Sequence, residues 1–149
     1  MSNRAVIDAS VVLKWLLNDE ECVSQAVGIR DAHLIYNEMQ LVAPELMIYE
    51  IANGLVMATR RGRLSPVQAR EGLVAILDVG IQVTSADAER TLNLAEKHTL
   101  TAYDAAYIVV AEAEACPFWT ADAVLYEAVR EQLDWVRWIG DYESVGRHD

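Results

Sequence analysis

Ala5-Val6-Ile7-Asp8-Ala9-Ser10-Val11-Val12-Leu13 sets the fold near the start of the chain. Three apolar residues stop at an acid, and a second apolar run begins after Ser10. The first run is strand length, and serine is a helix-capping type. The stretch therefore reads as a buried strand, an acid at its end, and a helix over Val11–Leu17.

The same alternation continues outward. A helix is predicted from Cys22 to about Glu38, then a short strand at Leu41-Val42-Ala43 closed by Pro44. Glu45 to Arg60 has helical periodicity and ends near Gly62. Ser65-Pro66 gives a cap and a first-turn proline for a helix to about Leu77. Ile81-Gln82-Val83 reads as a strand, and Ser85 as the cap of a helix to about His98. Thr101 starts a helix running to about Ala115. Phe118-Trp119-Thr120 is a strand ending at Asp122, a helix follows to Gln132, and Trp135–Ile139 is a last strand candidate. Short apolar strands alternating with helices predict one α/β domain over residues 1–149. Its central parallel sheet would have about four or five strands, with helices on both faces. There is no internal repeat, low-complexity tract or linker.

Composition narrows the function. Hydrophobic residues make up 53% of 149, enough for a globular core. Net charge is −11, the wrong sign for holding nucleic acid by bulk electrostatics and the right one for a basic partner or a cation site. Cys22 and Cys116 form no CxxC pair, so neither a zinc site nor a disulfide framework is indicated, and a reducing cytoplasm is the expected setting. Asp8 and Lys14 interrupt the N-terminal apolar stretch, so no targeting segment is expected. No apolar run is long enough for a membrane span.

In parallel sheets, ligands bind beyond the carboxyl ends of the strands. Asp8 and Asp122 end strands. Glu50 lies in the helix after the second strand, and Asp104 in the first turn of the helix leading to the strand before Asp122. Each acid alone has an ordinary structural role: Asp8 and Asp122 as helix caps, Asp104 within Thr101-x-x-Asp104, a capping-box pattern. Their joint placement at one sheet edge is the functional signal. On the Glu50 helix, Ile48, Ile51, Ala52 and Leu55 read as the core stripe. Glu50 shares another side with Asn53, Gly54, Met57 and Arg61, a mixed surface that reads as a pocket wall.

With those residues in place, the chain resembles the PIN domain family from Val6 to beyond Leu125. Val6-Ile7-Asp8-Ala9-Ser10 is similar to the family's first motif, and Pro44-Glu45-Leu46 with Tyr49-Glu50-Ile51-Ala52-Asn53 to the second. Ala102-Tyr103-Asp104-Ala105-Ala106-Tyr107 resembles the third, the most specific, and Trp119-Thr120-Ala121-Asp122 the fourth. The nearest resemblance is to small stand-alone VapC-type toxins. It implies an endoribonuclease dependent on Mg²⁺ or Mn²⁺, a homodimer that could pair into a tetramer, and a basic VapB-like antitoxin that blocks the site. Ala115 stands where a glycine is common and Pro117 where an apolar strand residue is common. Ala123-Val124-Leu125 stand where some members carry a further acid or amide, which leaves a second ion less well supplied.

On this reading Asp8, Glu50, Asp104 and Asp122 are the catalytic and metal-binding set. Asp8, Asp104 and Asp122 would hold a first ion, and Glu50 would share a second or position water. Four close carboxylates repel by roughly 3 kcal/mol per pair at about 5 Å and an effective dielectric near 20, and hard cations relieve this. Ser10 and Thr120 are candidate supports for a carboxylate or phosphate, with Asn53 beside them. Arg60, Arg61 and Arg63, with Lys14 and more weakly Arg4, are the candidate RNA contacts. A receiver domain is disfavoured because Ala9, not an acid, follows Asp8 and no lysine follows Lys97. A haloacid-dehalogenase-type phosphatase would need an aspartate where Ser10 stands. Two alternatives stay open: a non-catalytic acidic module of the same fold that binds a basic peptide, and a nuclease outside any toxin–antitoxin pair. Core packing is expected for Trp119 and Trp138, while the exposure of Tyr49 and Trp15 is left undecided.

Overall fold

Val6 and Ile7 have no solvent exposure and Ala5 almost none, so the first strand, β1 (Arg4–Ile7), is covered on both faces. The computed structural model describes residues 3–144. β2 (Gln40–Pro44), β3 (Gln82–Thr84), β4 (Phe118–Thr120) and β5 (Val136–Trp138) join β1 in one sheet. All neighbouring strands are parallel, and the order is β3-β2-β1-β4-β5. The chain moves outward from β1 to β2 and β3, then returns past β1 to β4 and β5. The direction of winding therefore reverses between β1 and β4, and ligands of such sheets bind beyond the strand ends at that point.

Seven α-helices connect the strands among the described residues: α1 (Ala9–Val12), α2 (Val23–Leu34), α3 (Leu46–Arg60), α4 (Pro66–Asp78), α5 (Ala88–His98), α6 (Ala102–Ala113) and α7 (Ala123–Val129). Right-handed crossovers put α1 to α4 on one face and α5 to α7 on the other. The packing agrees: α6 lies on β1, β2 and β4, α7 on β4 and β5, and α3 against α1 and α4. None of these helices is long and apolar enough to cross a membrane.

Several boundaries differ from the sequence reading, each for a local reason. Asp8, not Ser10, is the N-cap of α1; its carboxylate accepts from the Val11 N–H at 3.3 Å, and Ser10 sits inside the helix. The helix then tightens into a 3₁₀ turn at Leu13–Trp15, short of Leu17. α2 stops at Leu34 rather than Glu38, because Asn37 adopts a left-handed φ of 51° and the Glu38 N–H turns back to Ala32. Asp87, not Ser85, caps α5; Ser85 instead donates to Glu45 at 3.4 Å. α6 ends at Ala113, with Ala115 at a left-handed φ of 52°. α7 ends at Val129 rather than Gln132.

The core stripe of α3 is also rotated. Met47, Ile51, Leu55 and Ala58 are buried, while Ile48 and Ala52 are only partly covered. Gly54 faces Leu13, whose Cδ1 would lie 2.5 Å from an added Cβ, so α3 packs directly on the 3₁₀ turn. The tryptophans serve packing. Trp119 is buried edge-on to Tyr142 at 5.3 Å, and Trp138 packs on Tyr126 at 5.8 Å. The Trp15 indole N–H donates to the Ala26 carbonyl at 2.7 Å, and that of Trp135 to Ile108 at 3.3 Å.

Candidate active site

The register Ile7↔Trp119 sets the ends of β1 and β4 side by side. The next residue on each strand is Asp8 and Thr120. Thr120 Oγ1–H donates to Asp8 Oδ2 at 2.5 Å, and Ser10 Oγ–H donates to Asp8 Oδ1. Both hydroxyls also accept from the loop beyond β4: Ser10 Oγ from the Ala121 N–H at 3.0 Å, Thr120 Oγ1 from the Asp122 N–H at 3.0 Å. One carboxylate, two hydroxyls and two backbone amides thus lock the β1 end to the loop that carries Asp122. Asp122 caps α7, accepting from the Leu125 N–H at 3.1 Å.

The other two acids reach the same edge from helices. Asp104 is in the first turn of α6, and its N–H donates to the Thr101 hydroxyl at 3.1 Å. Glu50 projects from α3 and accepts from the Tyr107 hydroxyl at 2.5 Å. Tyr107 is buried and its ring stacks on Phe118 at 5.5 Å, with 9° between planes.

The electrostatics link the four acids into a chain. Burial pushes the Asp8 carboxyl up to about 6, against the pull of Ser10, Thr120 and Val11, and the charge of Asp122 adds to the rise. Burial raises Asp104 too, followed by the charge of Asp122, with the Thr101 bond opposing. Burial likewise raises Glu50; the Tyr107 bond opposes, and the charge of Asp104 adds. Three of the acids therefore feel a neighbour's charge: Asp8 and Asp104 that of Asp122, and Glu50 that of Asp104. Burial and the Glu50 carboxylate push the Tyr107 phenol far above its ordinary value, so it remains a donor.

Oxygen is the only donor type in this group, which fits a hard ion such as Mg²⁺ or Mn²⁺ and not a thiolate- or imidazole-seeking one. Among the described residues, no three His, Cys, Asp or Glu side chains are already gathered into a metal-holding arrangement. Three of the carboxylates rest on separate protein donors: Thr120 and Ser10 for Asp8, the Leu125 amide for Asp122, Tyr107 for Glu50.

The remaining sequence candidates scatter. Asn53 is exposed on α3, and its side chain makes no hydrogen bond among the described residues. Arg60 and Arg61 are exposed at the C-terminal end of α3, without an ion pair among the described residues. Arg63 instead binds Asp19 at 2.7 Å and Glu20 at 3.3 Å, and Lys14 is buried and bound to Glu20 at 3.2 Å. Those two cations tie the 3₁₀ turn to the loop after α3. Arg4 pairs with Glu114 at the opposite end of the sheet.

Tyr49 and Tyr103, each one residue before a site acid, are 76% and 66% exposed, whereas the Trp15 ring is tied down. A cleft of about 460 Å³ opens between Leu46, Thr84, Leu92 and Tyr103; none of the four acids lines it. Tyr107 closes the third motif but was given no role in the sequence reading. Its signals were that place and a hydroxyl three residues after Asp104, in a helix whose residues 105–111 are all buried.

Comparison with known proteins agrees with this architecture. Residues 5–131 match the PIN domain. The VapC ribonuclease Mb0985 of Mycobacterium bovis is 31% identical over 129 residues, covering 85% of this chain and 92% of that protein. Ribonuclease VapC9 of Mycobacterium tuberculosis gives the same figures. The crystal structure of PAE2754 from Pyrobaculum aerophilum superposes with a TM-score of 0.69 at 22% identity, covering 93% of this chain and 92% of that one, a likeness of fold. On the family match and the VapC relatives together, this chain belongs to the PIN domain family.

Proposed function

We propose that this protein is a divalent-cation-dependent endoribonuclease of VapC type, with Asp8, Glu50, Asp104 and Asp122 as its metal-binding and catalytic carboxylates. The supporting observation is the chain of acids beyond the ends of β1 and β4, anchored by the Asp8–Ser10–Thr120 clamp. The relatives named as ribonucleases support the reaction class.

Asp8, Asp104 and Asp122 would hold a Mg²⁺ or Mn²⁺ ion, with Glu50 at a second position or on water. A bound ion would supply Lewis-acid stabilisation of phosphoryl charge and lower the pKa of a nucleophilic water. The protein's own part is positional. Ser10 and Thr120 fix both oxygens of Asp8. The Leu125 amide holds one oxygen of Asp122. The N-terminal turn of α6 presents Asp104. Asn53 would lend a further polar group beside Glu50.

The net charge of −11 makes long-range attraction of RNA weak. Of the candidate RNA contacts, Arg60 and Arg61 are free to meet phosphates, and Tyr49 and Tyr103 offer exposed rings for unpaired bases. The same charge suits a basic, VapB-like antitoxin that would cover the acids. A homodimer, in the cytoplasm, completes the proposal.

The test is cleavage of pooled cellular RNA by purified protein in Mg²⁺, Mn²⁺ or EDTA. Metal-dependent cutting is expected, with at least a 100-fold loss in Asp104→Asn at unchanged fold. Folded protein that cuts nothing under either metal would favour the non-catalytic module that binds a basic peptide.

A further inference from the structure

The Tyr107 hydroxyl has one proton to donate, and it donates it at 2.5 Å to Glu50, 57 residues away in sequence. Packing does not require that hydroxyl. The ring is 1% exposed and stacks on Phe118 of β4, and a phenylalanine would fill the same space. Yet a phenol oxygen placed so deep needs a partner. Its partner is a half-buried carboxylate on a different helix.

Tyr107 also lies one turn after Asp104, so both share one side of α6. The same stretch of helix therefore presents one site acid and holds another. The backbone N–H of Ala9, next to Asp8, lies beside the phenol oxygen as well. Glu50 itself has a long side chain and no other hydrogen bond among the described residues, so its placement depends on this donor.

We infer that Tyr107 is a positioning residue: through its hydroxyl it fixes the Glu50 carboxylate at the acidic edge, and it does so from the element that carries Asp104. The inference rests on the metal-dependent reading above. Groups that orient metal-binding side chains contribute roughly 10-fold to 100-fold in metal affinity or activity. Tyr107→Phe removes the hydroxyl and keeps the ring.

The experiment titrates metal-free protein with Mn²⁺ alone, followed by electron paramagnetic resonance, and measures kcat and KM on RNA in parallel. Four proteins are compared: parent, Tyr107→Phe, Glu50→Gln and the double variant. Tyr107→Phe is expected to melt within a few degrees of the parent. It should bind Mn²⁺ about 10-fold more weakly and lose kcat with KM for RNA unchanged. In the Glu50→Gln background the tyrosine change should cost nothing further, because Tyr107 acts only through Glu50. Parent-like binding and cleavage by Tyr107→Phe would overturn the inference while leaving the nuclease reading intact. So would additive losses in the double variant, or unfolding of Tyr107→Phe, which would make the hydroxyl structural. A parent that neither binds Mn²⁺ nor cuts RNA would overturn both.

Discussion

Asp8 is 6% exposed, and its carboxyl is lifted from 3.8 to about 6, first by burial. A carboxyl raised on folding holds its proton more tightly in the native state than in the unfolded chain. Between about pH 4 and 6 the folded state thus binds more protons, and its stability falls as pH rises. For this group the loss is at most about 3 kcal/mol. Glu50 and Asp104 are shifted in the same direction and add to the slope. Thermal unfolding in EDTA across this range should show a falling midpoint, with a shallower slope for Asp8→Asn. An unchanged slope in that variant would show that Asp8 is not the titrating group. Asp8 was readable as an acid at a strand end, and Glu50 and Asp104 as acids on the helices near that edge. The groups that hold them were less so. Ser10 resembled a helix cap because serine and aspartate share that preference, and two such residues stood within one turn. Lys14 and Arg63 looked like free cations because their partners, Glu20 and Asp19, are brought to them by folding. Tyr107 was hidden in an apolar helix, where a tyrosine reads as one more core residue.

Strand and helix identities followed from periodicity, since each strand is a brief apolar run between helical segments. Their ends depended on φ values that sequence indicates poorly outside glycine. Ala115 is the clearest case. It sits at φ 52°, where an alanine is strained, in a position where the family resemblance pointed to glycine. Thr99, after α5, carries the same burden at φ 56°, with the Leu100 N–H closing back on Ala95. Ala115→Gly should raise unfolding free energy by about 0.5–1 kcal/mol in urea titration. Because Ala115 lies at the far end of α6 from Asp104, RNA cleavage should be unchanged. A loss of stability would mean that some feature other than φ sets the cost there. The α3 stripe illustrates the opposite limit. Its apolar residues were all visible, but the close approach of Gly54 to Leu13 turned the helix so that Met47 and Ala58 faced inward.

Across the whole molecule, the five-stranded parallel order brings together acids that lie up to 114 positions apart, from Asp8 to Asp122. The winding reverses between β1 and β4, the place beyond whose strand ends parallel sheets bind their ligands. Sequence did not foresee that Asp8, Asp122 and Glu50 would each rest on a separate protein donor. Their like charges repel, and the proposed metal binding would offset that repulsion. Mn²⁺ titration of the four single variants Asp8→Asn, Glu50→Gln, Asp104→Asn and Asp122→Asn tests this most directly. Glu45→Gln, an exposed acid at the start of α3 outside the chain of four, serves as control. The account predicts that each of the four weakens Mn²⁺ binding by at least about 10-fold while the control binds like the parent. Parent-like binding in all four, or an equal loss in the control, would contradict it.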